Sequence, residues 1–174
     1  MYKVDKDRVV ELDTAPRPDI GAPIPVLVAD EGTVLLAYIT SEPDPSWDGT
    51  WAKVVSPDSA DEPIAIVRFS RVCAHMLGRP NDEAFEGHPL ASRGLRPYAV
   101  SEIADSSWIH ALERMNAVHP FHRPEHFARY KHFIFAFHDS TFECVAESFT
   151  VERCRGSIRS ALQRMVEMLN DERV

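Results

Sequence analysis

The most constraining feature of this chain is an alternation of apolar residues on both sides of an Asp-Ser pair at 139–140. Phenylalanine stands at every second position from Phe133 to Phe137, and apolar residues continue the same period from Phe142 to Ala146. A period of two indicates β-strands with one buried face, and the Asp-Ser pair is typical of a tight turn. The pattern therefore predicts an antiparallel hairpin in which Phe137 lies opposite Phe142.

The same register places polar side chains together on the other face of this hairpin. His132 is then expected to pair directly with Glu147, and His138 and Glu143 share that face. Two imidazoles and two carboxylates on one face could bind a metal ion or transfer a proton. They could equally form a solvated sheet face with ordinary cross-strand pairs. The pattern leaves these interpretations open.

Segments before the hairpin predict further strands and a mid-chain helix. Apolar runs at 26–29 and 34–39 flank a turn, and residues 64–72 have strand character. Apolar residues then recur at helical spacing from Trp108 to Met115. The three residues before Trp108 are Asp, Ser and Ser, which are good helix N-caps.

An apolar stripe from Ile158 to Leu169 predicts an amphipathic helix near the C-terminal end. Runs of strands with helices inserted late favour an α+β fold, in which a mostly antiparallel β-sheet carries a mid-chain helix and a C-terminal amphipathic helix packed on it. The length of 174 residues predicts a single domain over 1–174. We expect the hairpin at 133–149 and the helix at 157–170 to form the main core.

Charge and composition exclude several classes of protein. The net charge of −8 is carried by residues 1–63, and the remainder is balanced. Without a basic stripe, binding to nucleic acid or to an anionic membrane is disfavoured. The sequence has no run of about 20 apolar residues, and charges near Met1 disfavour a signal peptide. Three cysteines argue against a disulfide framework, so we expect a cytoplasmic protein.

Histidines concentrate in the middle of the chain, where seven of the eight fall between residues 88 and 138. Imidazole is the commonest metal ligand in proteins. The candidate metal ligands are His122, His126, His132, His138 and Glu143, of which His138 and Glu143 are also the candidate catalytic residues. Because no HExxH motif or cysteine–histidine zinc spacing occurs in the sequence, we expect no cofactor, with a divalent metal as the alternative.

A second candidate site is the glycine-punctuated loop at 87–98. Its candidate ligand-binding residues are His88, Arg93, Arg96 and Tyr98. Two guanidinium groups beside an imidazole and a phenol suit an anion or the carboxylate of a partner. The alternative is a surface crossover that its apolar residues hold against the protein.

Three segments resemble a group of uncharacterised bacterial proteins. They read GHPLASRGLRPY at 87–98, SSW at 106–108 and HDSTFE at 138–143, so the resemblance covers about residues 87–147. That group implies no activity, substrate or cofactor for this chain.

The function that the sequence favours is a non-enzymatic binding module for a protein or a small molecule, because no complete catalytic motif is present. The alternative is a metal-dependent or histidine-based hydrolase that uses the region 119–143. A homo-oligomer is a third possibility, in which the acidic first third of the chain is a solubilising or docking surface.

Overall fold

A computed structural model describes residues 2–43, 48, 50 and 53–171 of the chain. Every paired strand in it is antiparallel. The elements in chain order are β1 (Arg8–Glu11), β2 (Val26–Ala29), β3 (Thr33–Ile39), β4 (Glu62–Ser70), β5 (Ala74–Gly78), β6 (Val100–Ala104), α1 (Ser107–Asn116), β7 (Lys131–Ala136), β8 (Thr141–Ala146), β9 (Ser148–Gly156) and α2 (Ile158–Asp171).

The strands form two sheets. Sheet A has the order β1-β6-β7-β8-β5, and sheet B has the order β2-β3-β4-β9. Together with α1 and α2 they make the α+β fold that the sequence predicted. None of the helices in the described part of the chain is both long enough and apolar enough to span a bilayer.

The first core lies between the two sheets and is rich in aromatic rings. Tyr38 and Phe69 from sheet B meet the phenylalanines of sheet A, and Phe69 packs edge-on against Phe135 with 5.7 Å between ring centroids. Edge-to-face pairs add to the free energy gained by burying the rings. The alternating phenylalanines that predicted the hairpin are thus the inner face of sheet A.

The second core lies on the outer face of sheet B, where α2 packs. Ile158 and Met165 of α2 are buried against Leu35 and Ile66 of the sheet. The apolar stripe on α2 therefore packs on a sheet, as predicted. The expectation that α2 and the hairpin share one core is wrong, because sheet B lies between them and its strands β3 and β4 are buried on both faces.

The third core covers the outer face of sheet A without a long helix. Phe85, Leu90 and Leu95 come from the long irregular segment between β5 and β6, which contains two short 3-10 helices, and they pack on Ile134. Tyr2 packs against the same cluster. We call this layer, formed by residues 2–7 and 85–95, the cover of sheet A.

The predicted register of the hairpin is wrong by two residues. Phe135 lies opposite Phe142, and His132 lies opposite Val145 rather than Glu147. The turn is centred one residue earlier than the Asp-Ser pair, because the Phe137 N–H donates to the main-chain oxygen of Ser140. A shift of two residues keeps each side chain on its face, so His132 and Glu143 still share the outer face.

Candidate functional site

The candidate ligand-binding loop is folded back onto the protein. His88 is buried, and the Arg93 guanidinium donates hydrogen bonds to the main-chain oxygens of Asp5 (2.7 Å) and Asp7 (3.1 Å). These contacts hold the loop against residues that precede β1. His88 and Arg93 therefore stabilise the cover of sheet A.

The other two candidates of this loop have different surroundings. Tyr98 donates a hydrogen bond to the Asp82 carboxylate. Burial and this carboxylate together raise the pKa of Tyr98 to about 12. Arg96 is exposed, and it makes no hydrogen bond or ion pair with the residues described.

The histidine-rich segment is spread over separate contacts. His122 Nε2 lies 2.7 Å from Glu113 Oε1, His138 Nδ1 lies 3.2 Å from Asp139 Oδ1, and His126 is exposed. Within residues 2–43, 48, 50 and 53–171, no three His, Cys, Asp or Glu side chains form a group that could hold a metal ion.

The structure brings the candidate metal ligands His132 and Glu143 together with His88, a candidate of the loop, in a buried polar cluster. His132 Nε2 lies 2.9 Å from Glu143 Oε2, and the Tyr2 hydroxyl donates to the same oxygen over 2.7 Å. His88 Nε2 lies 3.3 Å from Glu143 Oε1. The solvated face that the sequence offered as one interpretation is therefore dry here, and three protein donors replace water around the carboxylate.

The hydrogen bonds assign the proton on His88. Its Nδ1 accepts the Leu90 N–H over 3.1 Å, so this nitrogen carries no proton. The proton of the neutral ring is then on Nε2, where it is donated to Glu143. The cover and the sheet are thus joined through a neutral histidine.

The hydrogen-bond donors around Glu143 determine that its carboxyl is ionised. Burial raises the pKa of this carboxyl, but the hydrogen bonds from His132, His88 and Tyr2 outweigh burial and lower the pKa to about 2. Burial and the same carboxylate raise the pKa of the Tyr2 phenol far above its ordinary value. Tyr2 therefore stays a donor and Glu143 stays an acceptor at neutral pH.

Ser106 reaches this cluster because of the turn between β6 and α1. Asp105, directly after β6, has a φ of 54°. The next residue caps α1, with the Ser106 side chain accepting from the Ile109 N–H over 3.3 Å. Ser106 Oγ also lies 2.9 Å from His132 Nδ1. The Ser106 hydroxyl thus contacts the His132 imidazole, and the same imidazole contacts the Glu143 carboxylate.

A strap formed by residues 2–7 closes the cluster. The Asp7 carboxylate accepts the Ser107 N–H over 2.8 Å and also the Ser107 hydroxyl. The Tyr2 ring stacks on Trp108 with 5.7 Å between centroids. Burial raises the pKa of Asp7, but the hydrogen bonds from Ser107 and from the main chain outweigh it and lower that pKa.

Sequence patterns indicate Ser106 only in part and Tyr2 not at all. Ser106 stands in a predicted N-cap position, which indicates a hydrogen bond to the helix but not to His132. Tyr2 and its acceptor Glu143 are 141 positions apart, and no local pattern connects them.

A separate surface exposes large apolar side chains at the end of α1 and just after it. Met115 is 72% exposed, Val118 is 90% exposed and Phe121 is 81% exposed. Single exposed apolar residues are common, but three within seven positions mark a candidate interaction surface. We call these three residues the apolar surface.

In comparisons with known proteins, no family model, no curated protein and no solved structure matches this chain. The interpretation of the buried cluster and of the apolar surface rests on their own chemistry.

Proposed function

We propose that this chain is a binding module for a protein partner that contacts the apolar surface. The observation that carries the proposal is the exposure of Met115, Val118 and Phe121, which leaves most of each side chain in water. Covering such side chains with a partner releases free energy in proportion to the area removed from water. A protein partner fits better than a small molecule, because these residues lie on a helix end and a loop.

The charges around the apolar surface indicate the chemistry of the partner. Residues 110–131 contain four Arg or Lys, two Asp or Glu and four of the eight histidines, for a formal charge of +2. The rest of the chain then carries −10, because the total is −8. Arg114 and Arg123 are exposed, whereas the Glu113 carboxylate is bonded to His122. The surface therefore suits an amphipathic protein segment that is acidic.

The cover of sheet A supports this choice of surface over the loop at 87–98. In that loop, His88 is hydrogen-bonded to Glu143, and Arg93 is hydrogen-bonded to the main chain of residues 5 and 7. A ligand that used them would have to break these bonds first, and each such loss opposes binding. The apolar surface requires no such rearrangement.

The test compares two synthetic amphipathic peptides that have the same apolar pattern, one with Glu and one with Lys at the polar positions. Fluorescence anisotropy measures the binding of each labelled peptide to the full chain. We expect the acidic peptide to bind, the basic peptide not to bind, and added salt to weaken the complex. Equal binding of both peptides, or of neither, contradicts the proposal.

The matched variants are Phe121→Ser and Val54→Ser, since both side chains are more than four-fifths exposed and Val54 lies outside the apolar surface. We expect Phe121→Ser to weaken acidic-peptide binding by about tenfold or more and Val54→Ser to leave it unchanged. Sedimentation velocity checks self-association. A wild-type dimer that Phe121→Ser dissociates would contradict an external partner and identify a second copy as the occupant.

A further inference from the structure

We infer that Ser106 is a latent nucleophile which His132 activates, and that the strap of residues 2–7 keeps this site closed. Ser106 Oγ lies 2.9 Å from His132 Nδ1, and His132 Nε2 lies 2.9 Å from Glu143 Oε2. A nucleophile, a base and a group that orients the base are the three parts of covalent acyl transfer. The inference does not depend on the apolar surface.

The hydrogen bonds around Ser106 give the direction of proton transfer. Ser106 Oγ accepts the Ile109 N–H, so its own proton is available for donation. Nδ1 of His132 is the acceptor within reach, and Nε2 of His132 carries the proton that is donated to Glu143. This is the arrangement in which an imidazole removes a proton from a serine hydroxyl.

The main chain next to Ser106 provides a second requirement of acyl transfer, which is a hydrogen-bond donor for the oxyanion. Ser106 stands at a sharp strand-to-helix turn, and the N–H of the following residue, Ser107, is a donor suited to a developing oxyanion. In the closed structure the Asp7 carboxylate accepts this N–H over 2.8 Å. The strap therefore places a carboxylate where the oxyanion of a reaction intermediate would be stabilised.

The closed state explains why the site is buried. Ser106 is 3% exposed and His132 is fully buried. The strap is held by two hydrogen bonds from Arg93 to its main chain and by the bond from Tyr2 to Glu143. Displacement of the strap uncovers Ser106 and releases the Ser107 N–H in the same movement.

The reaction assigned to the open site is hydrolysis of a small ester with an apolar acyl group, because the aromatic ring of Trp108 on α1 lies edge-on to His132 and does not leave with the strap. Ser106 Oγ bonds to the carbonyl carbon while its proton passes to His132 Nδ1. The alcohol then leaves with that proton, and the ester C–O bond breaks. Water next attacks the acyl group, gives one proton to His132 Nδ1, and releases the acid as Ser106 recovers its hydrogen. Glu143 acts as a positioning residue.

The test uses an alkyl fluorophosphonate, which bonds to an activated serine oxygen with loss of fluoride. Peptide mass spectrometry locates the modified residue in the full-length chain. We expect slow modification of Ser106 in the wild type and an increase of about tenfold or more in Arg93→Ala, which lacks both guanidinium bonds to the strap. Arg96→Ala is the matched control, because Arg96 lies in the same loop and makes no hydrogen bond or ion pair with the residues described, and it should react like the wild type.

Variants of the cluster separate catalysis from folding. In the Arg93→Ala background, Ser106→Ala and His132→Gln should abolish modification, whereas Ser107→Ala should retain it. Glu143→Gln should slow modification, and Glu143→Asp should restore part of the rate if the carboxylate orients His132. Circular dichroism and urea titration of each variant verify that it is folded.

Turnover of p-nitrophenyl acetate provides a second readout, with a burst of p-nitrophenol equal to the enzyme concentration as the expected result. The inference is overturned if folded Arg93→Ala leaves Ser106 unmodified, or if modification occurs equally at Ser106 and at exposed serines. It is also overturned if His132→Gln is folded and reacts at the Arg93→Ala rate. In each of those cases the cluster only holds the cover in place.

Discussion

At the scale of single residues, the buried carboxylate of Glu143 shows how a charge is retained inside this protein. An isolated ionised carboxyl in the interior is strongly disfavoured. Here Tyr2, His88 and His132 donate to its two oxygens. Because the donors outweigh burial, the pKa lies near 2 instead of near 4.5, and ionised Glu143 stabilises the folded state.

This argument predicts how Glu143→Gln changes the pH dependence of stability. The folded-state pKa of Glu143 is lowered, so its stabilisation is complete above its unfolded value near 4.5 and is lost as the pH falls towards 2. We expect the variant to be less stable than the wild type at pH 7, with the difference shrinking by roughly 1–3 kcal/mol at pH 3. Urea titrations at both pH values measure it. A difference that is the same at pH 7 and pH 3 contradicts the prediction.

At the scale of elements, the periodicity of apolar residues predicted correctly which face of a strand or helix is buried. It did not predict the strand register or the sheet against which the helix packs. The alternation in β7 and β8 kept His132 and Glu143 on one face although the register was shifted by two residues. The stripe on α2 indicated a helix on a sheet, but nothing in the stripe specifies which sheet. That choice depends on the pairing of β4 with β9, and such long-range pairing has no local signature in the sequence.

The packing of α2 predicts unequal losses of stability at two apolar positions on that helix. Met165 is fully buried against sheet B, whereas Leu162 is 37% exposed. We expect Met165→Ala to lower the free energy of unfolding by about 2–5 kcal/mol and Leu162→Ala to lower it by clearly less. Urea denaturation followed by circular dichroism gives both values. Equal losses at the two positions would mean that the buried face of α2 is assigned incorrectly.

At the scale of the whole molecule, the three cores differ in how they are built. Two of them lie against sheet B and combine regular elements, with large rings or a helix filling the space. The third is closed by 3-10 turns and by the strap, which polar contacts hold in place. Regions with few buried apolar contacts open at lower free energy than the rest of a protein.

Hydrogen exchange should therefore separate the cover of sheet A from the two sheets. We expect the amides of β3 and β4 to exchange through global unfolding, and those of Leu90 and Ser107 to exchange faster through local opening. Arg93→Ala should accelerate exchange at the Leu90 and Ser107 amides. The exchange of the β3 and β4 amides should change only as far as the variant changes the free energy of global unfolding. Uniform acceleration across the chain would show that the cover and the sheets open together.

The strap also has a consequence for the order in which the chain folds. Its hydrogen bonds to the rest of the chain join residues that are 86 to 141 positions apart, such as Asp7 with Arg93 and Tyr2 with Glu143. Contacts of such high sequence separation carry a large loop-closure entropy, which is reduced once the intervening chain is ordered. The acceptor Glu143 and the donor Ser107 are in position only after β6, β7 and β8 have paired. Closure of the strap is accordingly expected as a late event in folding, after these three strands of sheet A have paired.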